Sequence, residues 1–231
     1  MSAFISFAIL FLSMLIQAFL QVTPGIFSIF YHSALAKNSR KKADDLSLYY
    51  ILGVEIFSTI IFITVFSFMS FVFTFQDFIN GIFPWLMAGV FGALSVVSFF
   101  FYFRKGSGTT LFVSRRIAEG IATRTKKLKN RSDALVLGII SSILDLIFTL
   151  PLYIIVSIET IKISSFPNFF VIILYIIVST IPLFTLRTFF RGGLNLADIQ
   201  RLRIKNKSFF RIIITVGFLL LAFSTIGLGV I

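Results

Sequence analysis

Six long apolar stretches, broken only by short polar ones, leave this chain few ways to fold. They run over 3–35, 46–75, 82–103, 134–158, 169–186 and 209–231. A helix rises about 1.5 Å per residue, so about 20 apolar residues cross a ~30 Å hydrocarbon core. Every stretch meets that length, the fifth only just. Lipid offers the backbone no hydrogen-bond partners, so each stretch must be helical. The runs lack the inside/outside alternation of a β-barrel strand. The expectation is an all-α integral membrane protein with six transmembrane helices, multi-pass in the cell inner or plasma membrane.

Composition agrees. Hydrophobic residues make up 58% of the 231 positions and charged residues 13%, and the mean hydropathy is +1.01. A soluble domain carries about 25% charge. This chain has too little polar surface for a water-soluble or disordered protein, and no room for a sizeable extramembrane domain. The first stretch has no basic residues ahead of it and runs past signal length, which argues against a cleavable signal peptide. With no cysteine and only His32 as histidine, disulfides, thiolate metal sites, thiol relays and His-cluster metal sites are excluded. No phosphate-binding GxxxxGK[ST] loop is present, so ATP drive within this chain is excluded. We expect no bound cofactor or metal and no enzymatic activity.

The net charge of +12 is distributed by loop. The first loop carries Lys37, Arg40, Lys41 and Lys42. The third, 104–133, carries nine bases, and the fifth has six, from Arg187 to Lys207. The second has none, and the fourth has only Lys162. The positive-inside rule then places loops one, three and five in the cytoplasm and both termini outside. This base is read as topological and lipid-facing rather than as a nucleic-acid surface. Within the third loop, Leu111, Ile117, Ile121 and Leu128 recur at roughly helical spacing among Arg115, Arg116, Arg124, Lys126 and Lys127. That pattern suggests a basic amphipathic helix on the anionic leaflet; an acidic partner is the other reading.

Three helices per half reverse the orientation of the second half, as in an inverted 3+3 repeat. The expected units are 1–103, a basic loop over 104–133, and 134–231. Helix 1 carries Thr23-Pro24-Gly25 and helix 4 carries Thr149 with Pro151. Each proline removes a backbone donor and is expected to kink or interrupt its helix. Interrupted helices at membrane depth are where transporters bind ions and anionic groups; a plain kink in a packed bundle is the simpler reading. Two acids fall inside predicted spans, Glu55 in helix 2 and Asp145 in helix 4, the latter near the midplane. A carboxylate there is costly and tends to face a partner, a cavity or a proton path. The candidate substrate- or ion-binding residues are Gln21, Thr23, Pro24, Gly25, Glu55, Asp145, Thr149 and Pro151. Gln17, Ser58, Ser141, Ser142, Ser179, Thr180 and Pro182 are polar neighbours that line a cavity or simply join helices. Gly89, Gly92, Gly227 and Gly229 are read as packing residues, and His32 as an interfacial one.

Thr23-Pro24-Gly25, the basic turn Asn38-Ser39-Arg40-Lys41-Lys42 and Leu52-Gly53 together resemble the lysine exporter (LysE) superfamily over about residues 17–60. That family has a Pro-Gly-Pro in its first helix, where this chain has Ile26 for the second proline. It has a Gly-Arg type turn, where this chain has Asn38, and glycines early in helix 2, where Phe57 replaces one. The resemblance implies a six-helix exporter, proton- or ion-coupled and homodimeric. The wider superfamily includes cytochrome-biogenesis thiol carriers, whose activity a cysteine-free chain cannot perform. The expected function is secondary transport of a small solute such as an amino acid or cation. The alternative is a non-transporting membrane assembly or lipid- or partner-binding protein. An intramembrane protease is a third reading, and it would need Glu55 to pair with Asp145.

Overall fold

A computed structural model describes residues 2–35, 40–72, 81–100, 130–163, 168–191, 205 and 207–229; over 22–35 and at a few other positions it gives the helical backbone alone. The described residues form helices α1 (Ser2–Leu35), α2 (Arg40–Val72), α3 (Ile82–Phe100), α4 (Arg131–Lys162), α5 (Asn168–Arg191) and α6 (Lys207–Gly229). No strand occurs among them. Helices α1, α2, α3, α5 and α6 are each long and apolar enough to cross a membrane. Helix α4 has two limbs, Arg131–Ile143 and Asp145–Lys162, inclined by 67°, and qualifies when they count as one bent span. The chain is a helical, multi-pass membrane protein.

Two helices are longer than their apolar runs. Helix α2 starts at Arg40, so Arg40, Lys41, Lys42, Asp44 and Asp45 form its first turns rather than a loop. Helix α4 starts at Arg131, inside the expected basic loop, and continues to Lys162. The Asn130 N–H donates to the Asp133 carboxylate at 3.3 Å, which begins α4 with a capping contact. At the other end the Ile163 N–H donates to the Glu159 carbonyl at 3.2 Å. Hydropathy fades over these polar turns while the helix continues, because capping and ion pairs sustain it.

The closest helix pairs are α2 with α4, α3 with α6 and α1 with α5. Helices α2 and α4 run parallel: Asp45 pairs with Arg131 near their starts, Gly53 meets Leu135, and Phe62 stacks on Tyr153 further along. Helices α3 and α6 run antiparallel. Ser95 donates to the Thr215 carbonyl at 2.9 Å, and Phe91 stacks on Phe218. Helix α1 is antiparallel to α6, with Ile16 against Gly217 and Phe19 against Phe210. One end of the bundle gathers the starts of α2 and α4 and the end of α5; it is the basic end. There Arg187 forks onto Asp44 at 2.8 and 3.0 Å, and Arg131 meets Asp45 at 2.7 Å.

The α2–α4 contact is made backbone to backbone. A Cβ at Gly53 would overlap the Leu135 carbonyl oxygen, and one at Gly138 would overlap that of Tyr50. Small residues give membrane helices this approach, since water supplies no hydrophobic drive between them. The expected packing glycines behave otherwise. A Cβ at Gly89, Gly92 or Gly227 would meet open space, because these positions lie away from the helix contacts; Gly229 has no described side chain. The core is apolar, with Phe91, Leu152, Phe218 and Leu221 fully buried. The outer face is apolar too, with Phe4, Phe11, Phe68 and Phe71 more than half exposed. A bundle apolar inside and out is built for lipid.

Candidate functional site

Helix α4 carries Ser141, Asp145, Thr149, Tyr153 and Ser157, one polar side chain at every fourth position. That spacing sets them in a row along one face. The row meets α2. The Tyr50 hydroxyl donates to Ser141 Oγ at 2.8 Å. The Tyr153 side chain hydrogen-bonds with Ser58 on α2 and with Thr149 on its own helix. Tyr153 lies within electrostatic reach of both Glu55 and Asp145, and Tyr50 within reach of Asp145. The structure thus brings the two intramembrane carboxylates of the sequence reading within electrostatic reach of one phenol, that of Tyr153. Tyr175 of α5 closes the seam, its ring 5.9 Å from that of Tyr153 and 4.9 Å from Phe62.

Among the described residues neither Glu55 nor Asp145 has an ion-pair partner. A bare carboxylate inside a span costs a few kcal/mol, so its charge calls for a proton or a cation. Hydroxyls from Tyr50, Ser58, Ser141, Thr149 and Tyr153 offer donors and acceptors for either. The seam can hold and release a proton or bind a positively charged group.

The remaining expected site residues are placed differently. Gln21 is buried on α1. The side chains of Thr23, Pro24, Gly25 and His32 lie outside the described residues. So do Arg115, Arg116, Arg124, Lys126 and Lys127, and with them the expected amphipathic helix. Pro151 does not interrupt α4, which stays helical to Lys162 with the proline inside it. The bend falls earlier, between Ile143 and Asp145. Proline deletes only the hydrogen bond to the Ile147 carbonyl, and buried Phe148 and Leu152 hold both neighbouring turns in the core. Pro182 likewise sits inside a continuous α5, where Ser179 and Thr180 donate to carbonyls of their own helix.

Three polar features escaped the sequence reading. Glu159, expected in a loop, is fully buried. Ser6 Oγ of α1 donates to it at 2.5 Å, and Lys162 Nζ does so at 3.0 Å. This triad lies at the end opposite the basic one, beside a small open pocket lined by Phe83, Met87, Ile155, Ile158, Lys162 and Thr225. Arg211 is the second: a base inside the last apolar stretch, its guanidinium 4.9 Å over the Phe99 ring. Its Nε and the hydroxyls of Ser98 and Thr215 are buried without hydrogen-bond partners among the described residues. A tally of intramembrane bases, beside that of acids, would have found it. The third is a row on α1, where Ser13 Oγ, Gln17 Oε1 and Gln21 Oε1 are all buried without hydrogen-bond partners among the described residues. Such a group costs about 1–3 kcal/mol when left unmatched.

No protein-family model matches this chain, and no curated protein or solved structure is similar to it.

Proposed function

We propose that this chain is a secondary membrane transporter that couples movement of a small solute to a proton or ion. The observation that carries the reading is the α2–α4 seam, where two carboxylates with no ion-pair partner among the described residues lie within electrostatic reach of one side chain, Tyr153. Asp145 is the coupling group and Glu55 its second station. Tyr153 and Tyr50 position the charge, Tyr153 in reach of both carboxylates and Tyr50 of Asp145.

The packing pattern supports six spans arranged as an inverted 3+3 repeat. Exchanging α1 with α4, α2 with α5 and α3 with α6 turns the α1–α5 contact into the α4–α2 contact. It leaves α3–α6, α1–α4 and α2–α5 in place, and converts α1–α6 into α3–α4 and α1–α2 into α4–α5. All nine of the more extensive helix contacts map onto one another. A set of contacts that survives the exchange of halves is what a pseudo-two-fold in the membrane plane produces. The basic end lies in the cytoplasm and both termini lie outside, by the positive-inside rule. The resemblance to the LysE superfamily favours export, of an amino acid or a cation, by a homodimer in the cell inner or plasma membrane, in contact with anionic lipid.

Flux in proteoliposomes under an imposed pH gradient tests the reading, with a panel of amino acids and cations. Asp145→Asn should reduce coupled flux at least tenfold, with exchange across equal pH less affected. Undiminished coupled flux in that variant would refute the role of Asp145. Absence of flux for every solute in the wild type would favour a non-transporting assembly or lipid-binding protein.

A further inference from the structure

Helix α4 is fastened at both ends to the first half of the chain. At its start Arg131 pairs with Asp45 of α2 at 2.7 Å. Near its far end the Glu159 carboxylate accepts a hydrogen bond from Ser6 of α1, and Lys162 of its own helix takes the other carboxylate oxygen. Asp145 lies fourteen residues from Arg131 and fourteen from Glu159, about 21 Å of helix either way. The 67° bend of α4 falls just before it, between Ile143 and Asp145. Each limb therefore has its own polar fastening, and the seam carboxylate sits where the limbs meet.

The basic end has a second tie. Asp44, beside Asp45 on α2, accepts from Arg187 of α5, from Nε at 2.8 Å and from Nη2 at 3.0 Å. The two ties are unequal. Arg131 and Asp45 are 64% and 35% exposed, and such a pair contributes little. Arg187 and Asp44 are 19% and 20% exposed and joined by a fork, which fixes position as well as charge. At the opposite end Glu159 is fully buried. It lines the small open pocket there together with Lys162.

All three ties join a helix of the first half to one of the second: α2 to α4, α2 to α5 and α1 to α4. In a bundle of two halves, access to a site between them changes by rocking one half on the other. Rocking parts the halves at one end and presses them together at the other. Ties that cross between the halves at the two ends must then break in turn. A hydrogen bond to a charged group resists this more than a neutral one.

We propose that Arg187–Asp44 and Ser6–Glu159 are the two gates of one site. The first shuts the α2–α4 seam from the basic end and the second from the opposite end, and each opens while the other stays made. The structure, with both ties in place, is the form closed at each end. This rests on the transporter reading for its purpose, but opening of a gate is read without any flux.

The natural chain has no cysteine, so Thr149→Cys, on the seam face of α4, serves as a single reporter. Its labelling by a charged, membrane-impermeant methanethiosulfonate is followed in right-side-out and in inverted vesicles holding the full chain. Without further change, labelling should be slow from both faces. Arg187→Gln should speed it about tenfold from one face and Ser6→Ala about tenfold from the opposite face, the shift of a two-state equilibrium that loses one hydrogen bond to a charged group. The charge-swapped pair Asp44→Arg with Arg187→Asp, and the hydroxyl-keeping Ser6→Thr, should return labelling to the slow rate. If Arg187→Gln fails to fold, Arg187→Lys keeps the charge without the fork and should give a smaller rise from the same face. Unchanged labelling in both variants, a rise from the same face in both, or a charge-swapped pair that labels as fast as Arg187→Gln overturns the proposal. Opposite-face labelling in a protein that moves no solute upholds the gates and counts against the transporter reading. Unchanged labelling in a protein that does move solute counts against the gates alone.

Discussion

Glu159 is fully buried and its charge is met by Ser6 and by Lys162. Removing one member of a buried pair leaves an uncompensated group, which costs about 3–5 kcal/mol when the pair is deep. Lys162 is about one-third exposed, so solvent screens part of that cost. Glu159→Ala is expected to destabilise the protein by about 2–3 kcal/mol, and Ser6→Ala by about 1 kcal/mol, both read as thermal midpoints in detergent. A Glu159→Ala variant as stable as the wild type would show that the triad contributes nothing. Gly53 and Gly138 are constrained by shape instead of charge. Gly53→Val and Gly138→Val each drive a side chain into a facing backbone, which cannot turn away as a rotamer can. Overpacking costs about 1–3 kcal/mol where neighbours yield, so here the loss should reach at least that, seen as aggregation or a lowered midpoint. Gly89→Val meets open space and should be tolerated.

At the scale of the helix, α4 shows how far local signals reach. Its apolar run was legible over 134–158, since hydropathy is a property of each residue. Its ends were not: they rest on the Asn130–Asp133 cap and on a buried Glu159 whose partner Ser6 lies 153 positions away. Pro151 was correctly placed in the span, but its effect was overestimated. A proline inside a helix costs about 3 kcal/mol in isolation, and here packing absorbs it. Pro151→Ala restores the bond to the Ile147 carbonyl but adds freedom to the unfolded chain. The expected net effect is a gain of about 1 kcal/mol with unchanged helicity by circular dichroism. A fall in stability would mean that the surrounding core is fitted to the proline. The two intramembrane acids were legible as residues in the wrong solvent. That they meet at Tyr153 was not, because nothing along the chain ties 55 to 145.

For the whole molecule, helix order and direction are the testable quantities, and the absence of cysteine makes the natural chain a clean background. Ser95→Cys with Thr215→Cys, on antiparallel helices α3 and α6, should be bridged by a short bifunctional thiol reagent. Asp45→Cys with Arg131→Cys, at the starts of parallel α2 and α4, should behave likewise. Failure of both pairs in folded protein would reject the packing. A cytoplasm-dependent reporter fused after Ile231 should be silent under the proposed topology, which puts both termini outside. The chain by itself determined the class, the long apolar helices and the charged end, because apolarity and charge act residue by residue against a fixed bilayer. Tertiary structure alone decided which helices are neighbours, that α2 and α4 touch through glycines, and that Glu55 and Asp145 share a seam. Those facts depend on contacts between residues distant in sequence, whose energies cancel or add only once the helices have met.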